Sequence, residues 1–599
     1  MGKPSEEGQP LLGSHPPPRR FRGRGAGDGD GGGDDAGVRA PPAWRRRLGT
    51  FTAFVTGLTL LVLVAGGFVD FFDLVGSEDK TLSCGAVAIA RETETFAVDF
   101  GDNKLLSISE RTADDDDDGS RFPPAAPVHV VGAIHFRRAG PDTPSSALTV
   151  DVAVTDERLV VDTRWSQEDG SLTVTVPRYA ERRSPGGAPR ECVNVTITAW
   201  VPENGLLRHL VASAEHLDVR LHDDLSLSVK RTTSLGSLVG VIASANPCGC
   251  DMGFVGAGSA EHASPIPPSF RFRSDILHVR TVSGYIIGTW PKSDELRLQS
   301  TSGNIRVGVV PVEASAHDGG GSDGSDGSDG SDGGDGGDGD NHRSDDRPRI
   351  INSRLPSSRL YVDTQSGEIS LLEPIDMSFS FPARDYHLYV SSTDGPITVG
   401  AAFGSYADVA SISGRLTLQL LPVLDDEYLL AGPGSHPSEQ DERPRRSRPQ
   451  AVLETSSASG STRVRILEPL WISNPFTDNT TTTTTTSSSS SSSSHNPAVV
   501  LAKDPKPNPP FRHLSSTHKS TSAKIHLRLP ASWEGAIDLS SLSGKLQAVG
   551  EDVEVLKSGR TWPSFRKVLV ARKGEEGEGG EVIGKTTRGD IEVQIGTSK

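Results

Sequence analysis

One phrase recurs along this chain and limits what it can fold into. It runs apolar-x-apolar, three or four small or polar residues, a glycine, one residue more, then apolar-x-apolar again. It reads LHVRTVSGYIIG at Gly284, LRLQSTSGNIRVG at Gly303, LYVDTQSGEISLL at Gly367, LYVSSTDGPITVG at Gly395 and ADVASISGRLTLQL at Gly414. Later copies are LETSSASGSTRVRI at Gly460, IDLSSLSGKLQAV at Gly544 and VIGKTTRGDIEVQI at Gly589. With the glycines aligned, the position seven before them is apolar in every copy, and those five before, two after and four after mostly are. Alternation at a spacing of two lines up side chains on one face of a strand.

The glycine then stands at the corner between two short strands, where a positive φ or a close backbone approach favours it. Ser and Thr beside it supply side-chain hydrogen bonds to the turning backbone. Uninterrupted copies place their glycines 19 residues apart, Gly284 to Gly303 and Gly395 to Gly414. A period near 20 marks a stack of units, none of which buries enough apolar surface to fold alone. The expected fold is all-β, a β-solenoid or parallel β-helix-like ectodomain. A β-sandwich of hairpins carries the same alternation and remains the competing form.

Two segments extend the pattern: IHLRLPASWEGAIDLSSLSGKLQAVG (Ile525 to Gly550) and VNVTITAWVPENGLLRHLVASAEHLDVRL (Val193 to Leu221). They resemble the "putative adhesin" family of repeat domains, in which a strand ending in Pro leads into small-Gly-apolar coils. The resemblance runs from about Val193 to Ile595 with insertions removed. It implies short parallel stacked strands and an exported or membrane-tethered setting, and says little about activity. The Ser/Thr tract and the long N-terminal tail fit a fungal-type variant.

Composition agrees with folded segments separated by disordered ones. Of 599 residues, 65 are Gly and 41 Pro, with only 34% hydrophobic and 6% aromatic. The net charge of −17 excludes a general nucleic-acid binder. The expected segments are a disordered tail (1–47), a transmembrane helix (48–69), a juxtamembrane region (70–127) and a β region with the first coils (128–312). An acidic Gly/Ser/Asp linker (313–350), coils (351–423), a charged Pro-rich linker (424–450) and one coil (451–470) follow. A Ser/Thr- and Pro-rich linker (471–523) precedes the final coils (524–599). The Ser-Asp-Gly run from Ser322 lacks the apolar residue a calcium-binding roll needs in each repeat, so it reads as solvated linker.

The membrane expectation rests on Leu48 to Val69, 22 uncharged residues, enough for a helix to cross a ~30 Å hydrocarbon core. Arg39, Arg45, Arg46 and Arg47 precede it and Asp70, Asp73, Glu78 and Asp79 follow, which places the N-terminus in the cytosol. This is the pattern of a type II signal anchor, with the C-terminal part extracellular or lumenal. In the tail, Glu7 with Leu11 and Leu12 resembles an acidic dileucine sorting signal, which keeps a vacuolar or endosomal destination open. Cys84, Cys192, Cys248 and Cys250 all follow the span, so one or two disulfides are expected, with pairing undetermined. Asn194 and Asn479 open acceptable sequons for glycosylation on the same side.

No catalytic constellation emerges. Asp363 stands alone four residues before its glycine, and Asp408 and Asp538, six before theirs, belong to coils parted by an insertion. His209, His216, His278 and His387 lack metal-ligand spacing, and no phosphate-loop, dinucleotide or hydrolase signature occurs. Trp200, Trp290, Trp471, Trp533 and Trp562 are read as packing on coil edges rather than as sugar platforms. The sequence points to a non-enzymatic, membrane-tethered protein for adhesion, scaffolding or partner binding, with no cofactor or metal and a protein or polysaccharide ligand. The alternatives are a carbohydrate-active envelope enzyme or a vacuolar/endosomal membrane protein.

Overall fold

The computed structural model describes residues 88–113, 126–141, 143–180, 191–245, 269–313, 355–375, 381–425, 451–472, 509–561, 565–576 and 579–596. The tail, the span, Cys84, Cys248, Cys250, Asn479, Trp562 and the dileucine residues lie outside them. Among the described residues every regular element is a strand. They build two sheets of 16 strands each and a two-stranded pair, Ala126–Pro127 with Tyr179–Ala180. No helix among them is long and apolar enough to cross a membrane.

From Ser226 to Ile466 the chain visits the two sheets in turn. Strands Arg271–Thr281, Glu295–Ser300, Ser357–Thr364, Asp385–Ser392, Tyr406–Ser411 and Ala451–Ser457 pair in parallel, each with the next, in one sheet. Their successors Ile286–Lys292, Ile305–Pro311, Ile369–Leu372, Ile397–Phe403, Leu416–Asp425 and Thr462–Ile466 do the same in the other. Matching inward positions fall in columns. One is Leu277, Leu296, Leu360, Leu388, Ala407 and Leu453, and the facing one includes Ile286, Ile305, Ile369, Ile397 and Leu416. All of these are buried in one continuous core. Each such side chain contributes roughly 1.5–3 kcal/mol relative to exposure.

The glycines also form a column. A Cβ built on Gly303 would stand 1.7 Å from the Gly284 carbonyl oxygen, on Gly395 1.7 Å from that of Gly367, and on Gly414 1.9 Å from that of Gly395. Gly284 meets Gly240 in the same way, a corner without a counterpart in the sequence reading. None of these glycines has a positive φ, so close approach, rather than a left-handed turn, requires them. The hydroxyl three residues earlier completes the corner. Ser300 Oγ accepts the Gly303 N–H at 2.9 Å, Ser392 that of Gly395 at 2.9 Å and Ser411 that of Gly414 at 2.8 Å. Each of these buried hydroxyls thereby gives a turning amide a partner.

Chain order and spatial order part at the C-terminus. The last coil, Gly580–Thr586 with Ile591–Ile595, lies between two coils that precede it in sequence. On one side it pairs with Leu514–Ser520 and Ile525–Leu529, on the other with Gly535–Ser541 and Leu546–Gly550. The coil at Leu514–Leu529 has Ala523 at its corner, and its first strand falls inside the segment read as linker to residue 523. The β region likewise starts before residue 128, because Ala90–Ala97 and Leu105–Thr112 join the sheets. Polar residues dilute the alternation in ARETETFA, which hid that strand.

Antiparallel strands flank the stack at both ends. Ala90–Ala97 pairs with Ala147–Val154 and that strand with Cys192–Val201, while Arg566–Lys573 pairs with Gly535–Ser541 on one side and Glu554–Thr561 on the other. Exposed charges such as Arg91, Glu92, Glu554 and Arg560 line the outermost strands and discourage pairing with other chains. A second, small core gathers Leu355, Ile375, Phe381, Tyr386, Ala402, Leu421, Val423 and Ile472. Within it Lys292 Nζ contacts Glu373 Oε1, both side chains at most 1% exposed, and lies 4.7 Å from the Tyr386 ring centre.

Candidate ligand-binding face

In the Glu295–Ser300 sheet, the residues between inward positions form rows on the outer face. One row reads His278, Arg297, Tyr361, Tyr389, Asp408, Glu454 across six neighbouring strands. The adjacent row reads Glu295, Arg359, His387, Tyr406, Val452. Parallel pairing in register brings together residues far apart in sequence, which the spacing of single motifs does not reveal.

Three tyrosines and an arginine stack along this face. Tyr361 and Tyr389 lie 4.7 Å apart at 10°, Tyr389 and Tyr406 5.4 Å apart at 39°, and the Arg297 guanidinium sits 4.7 Å from the Tyr361 ring centre. Such contacts add ~0.5–1.5 kcal/mol per aromatic pair and ~0.5–2 for the cation. Stacking occupies the ring faces, and all three tyrosines are half-buried. None of the three hydroxyls has a hydrogen-bond partner among the described residues. Glu295 holds the cationic end, with His278 Nε2 at 3.2 Å, Arg297 Nε at 3.6 Å and Arg359 Nη1 at 3.9 Å.

The opposite end is acidic. Burial, reinforced by Glu454 in the same row, pushes the Asp408 carboxyl up to about 6, with Lys519 pulling the other way. Burial first, then Asp408 and Glu454, raises the Tyr406 phenol above its ordinary range. Burial and neighbouring Tyr361 do the same for Tyr389. Both phenols therefore stay neutral near pH 7 and both donate and accept hydrogen bonds. The Asp408–Glu454 juxtaposition escaped the sequence reading, which set Asp408 beside Asp538. Counting back six residues from Gly414 and Gly460 would have found it.

The other sequence candidates scatter. Asp363 Oδ1 accepts from Ser391 Oγ, and Asp538 stands in register with Ile583 on a distant coil. His216 donates to buried Glu110, whose Oε2 also accepts the Glu215 and His216 N–H groups at 2.7 and 2.9 Å. The Glu110 hydrogen bond raises the His216 pKa against burial. Trp290 and Trp533 are core residues, and Trp200 Nε1 donates to Thr149 Oγ1 at 3.1 Å. Buried Cys192 and half-buried Asn194 open strand Cys192–Val201.

Ser405, His387 and Asp385 meet next to the tyrosines, yet not as a nucleophilic triad. Asp385 Oδ2 at 3.1 Å and Ser405 Oγ at 3.3 Å share one ring nitrogen, His387 Nε2, and Ser405 Oγ itself donates to Asp385 Oδ2 at 2.9 Å. A relay needs the acid and the nucleophile on opposite ring nitrogens. The cluster clamps the start of strand Asp385–Ser392. Among the described residues no group of three acidic, His or Cys side chains is placed to hold a metal ion.

No family model matches the chain, and no curated protein matches it in sequence. Among solved structures, a protein described as a putative adhesin from Parabacteroides merdae shares 11% identity over 64% of this chain and 92% of its own, with a TM-score of 0.20. A putative adhesin from Parabacteroides distasonis shares 8% over 64% and 93%, also at 0.20. A putative cell adhesion protein from Clostridium sporogenes shares 5% over 84% and 100%, at 0.12. Scores this low do not establish a common fold.

Proposed function

We propose that this chain is a non-enzymatic, single-pass type II membrane protein whose β-solenoid ectodomain binds a partner outside the cytosol, as an adhesin or scaffold does. The observation that carries the reading is the Arg297–Tyr361–Tyr389–Tyr406 stack on an outward sheet face. Tyr and Arg are among the side chains that most often carry binding energy at protein surfaces, and here four stack together across two adjacent rows. The solenoid form is supported by parallel pairing and by the glycine column. The tether is supported by the apolar run 48–69 and its arginine flank. Glycosylation at Asn194 and Asn479, disulfides among the four cysteines and sorting through Glu7, Leu11 and Leu12 belong to the same proposal.

The test is to display the full chain on cells and measure adhesion to other cells and to glycan-coated plates. The Tyr361→Ala/Tyr389→Ala/Tyr406→Ala variant should lose most adhesion while reaching the surface normally. Adhesion equal to that of the parent overturns the reading.

A second reading, a carbohydrate-active enzyme, is favoured by one observation: a carboxyl raised to about 6 beside a second carboxylate, Asp408 and Glu454. Release of reducing sugar by the parent, abolished in Asp408→Asn, would establish it. No turnover on the polysaccharides that the chain binds removes it.

A further inference from the structure

We propose that a cluster of arginines on the same sheet face, several strands from the tyrosines, is a binding site for an acidic polysaccharide. Strand Ser226–Ser237 carries a bulge: Val229 pairs with Ser274 and Thr232 with Ile276, so Lys230 and Arg231 together oppose Asp275. The strand on its other side, Gly205–Ala214, breaks register at the same height, between Leu207 and His209, and places Arg208 against that bulge. Arg271 and Arg273 lie on the third strand, opposite Ser226 and Ser228. Bulges turn extra side chains outward, and these bring Arg208, Arg231, Arg271 and Arg273 to an exposed patch three strands wide.

Neighbouring cations are neutralised. Lys230 pairs with Asp102 at 2.7 Å and Lys104 with Asp99 at 2.8 Å. The four arginines have no carboxylate partner among the described residues. In a chain of net charge −17, leaving four guanidinium groups unpaired on one face creates a local positive field against the overall trend. Arg271 and Arg273 stand ~7 Å apart along their strand, and adjacent strands are ~4.8 Å apart. Guanidinium forks at such intervals suit regularly repeated carboxylates or sulfates. Leu105, in register with His209, is the large aliphatic side chain exposed at the border of the patch, no exposed aromatic stands among the four arginines, and exposed Ser228 adds a hydroxyl. An extended acidic glycan laid across the three strands meets these demands.

This inference rests on the reading of the chain as an extracytoplasmic binding protein, but on other residues. The experiment uses the full chain in detergent micelles with immobilised polygalacturonate and heparin, dextran as the neutral control, and double-stranded DNA as competitor. The parent should bind an acidic polymer and release it as salt rises. Arg208→Gln/Arg231→Gln/Arg271→Gln/Arg273→Gln should weaken binding by about tenfold or more at unchanged melting temperature, each rim charge adding modestly. Arg560→Gln, at an exposed arginine on an outermost strand away from the patch, should bind as the parent does. Equal binding by the arginine variant, equal binding of dextran, or DNA displacing the glycan at equal concentration overturns the site. If glycan binding holds while displayed cells fail to adhere, the adhesin reading falls and this site stands. If the arginine variant binds normally while adhesion still depends on the tyrosines, the reverse is true.

Discussion

Gly544 lies directly over Gly589, so that a Cβ on Gly544 would stand 1.9 Å from the Gly589 carbonyl oxygen, although Gly589 comes far later in the chain. Gly589 in turn rests on Ala523, its own Cβ position 1.8 Å from the Ala523 carbonyl oxygen. The final coil is therefore wedged between its two predecessors.

Removing residues 580–599 should free both faces that this coil covers. Coil 535–550 and its antiparallel hairpin lose their only parallel partner among the described residues, so they should unfold locally, whereas the strands before Ser457 stay protected. Amide hydrogen exchange over 514–573 checks this. Unchanged protection there would show that the coil adds nothing.

Gly303→Ala should destabilise the chain by about 3 kcal/mol or more, since backbone rather than a mobile side chain blocks the added methyl. Ala523→Gly, at a corner already built around a methyl, should change stability by less than ~1 kcal/mol. Thermal unfolding of both variants gives the comparison, and equal effects would contradict the glycine column as a steric requirement.

Lys292→Ala leaves Glu373 charged and unpaired in the small core and should cost about 3–5 kcal/mol. Lys292→Met/Glu373→Gln should recover most of that loss, because it removes both charges, keeps the volume and leaves an acceptor for the Ala402 N–H, which donates to Glu373 Oε2 at 2.8 Å. Chemical denaturation separates the two outcomes.

Asp408 gives a pH dependence with a definite sign. Its folded-state pKa of about 6 exceeds the ordinary 3.8, so the folded state holds this proton more tightly than the unfolded chain. The group favours folding below about 3.8 relative to above 6, and that advantage is lost as pH rises through the window. Asp408→Asn should accordingly raise the melting temperature at pH 7 and have little effect at pH 4. An equal shift at both would deny the raised carboxyl.

The all-β class was legible because columns such as Leu296, Leu360 and Leu388 keep a period of two through every interruption. What local reading missed depends on register between strands. Asp408 meets Glu454 only after an insertion is closed, and the coil at Leu514 hides because Ser516 and His518 take its inward positions. There buried His518 Nδ1 bonds Thr455 Oγ1 at 2.8 Å and Nε2 bonds Ser516 Oγ at 2.6 Å, satisfying a polar pair where the alignment expects leucine and valine. The threading of the last coil had no local signal at all, because residues 591–595 would suit either neighbour.

The connections also divide by side. Each glycine corner is tight, whereas residues 246–268, 314–354, 426–450 and 473–508 all fall between a strand of the Ile286–Lys292 sheet and the next strand of the other sheet. Such a molecule has one closed margin and one open margin. Sequence added at the open margin leaves the rungs untouched, so epitopes, spacers or fused domains placed there would project from a single flank, and the same material at a glycine corner would pry the rungs apart.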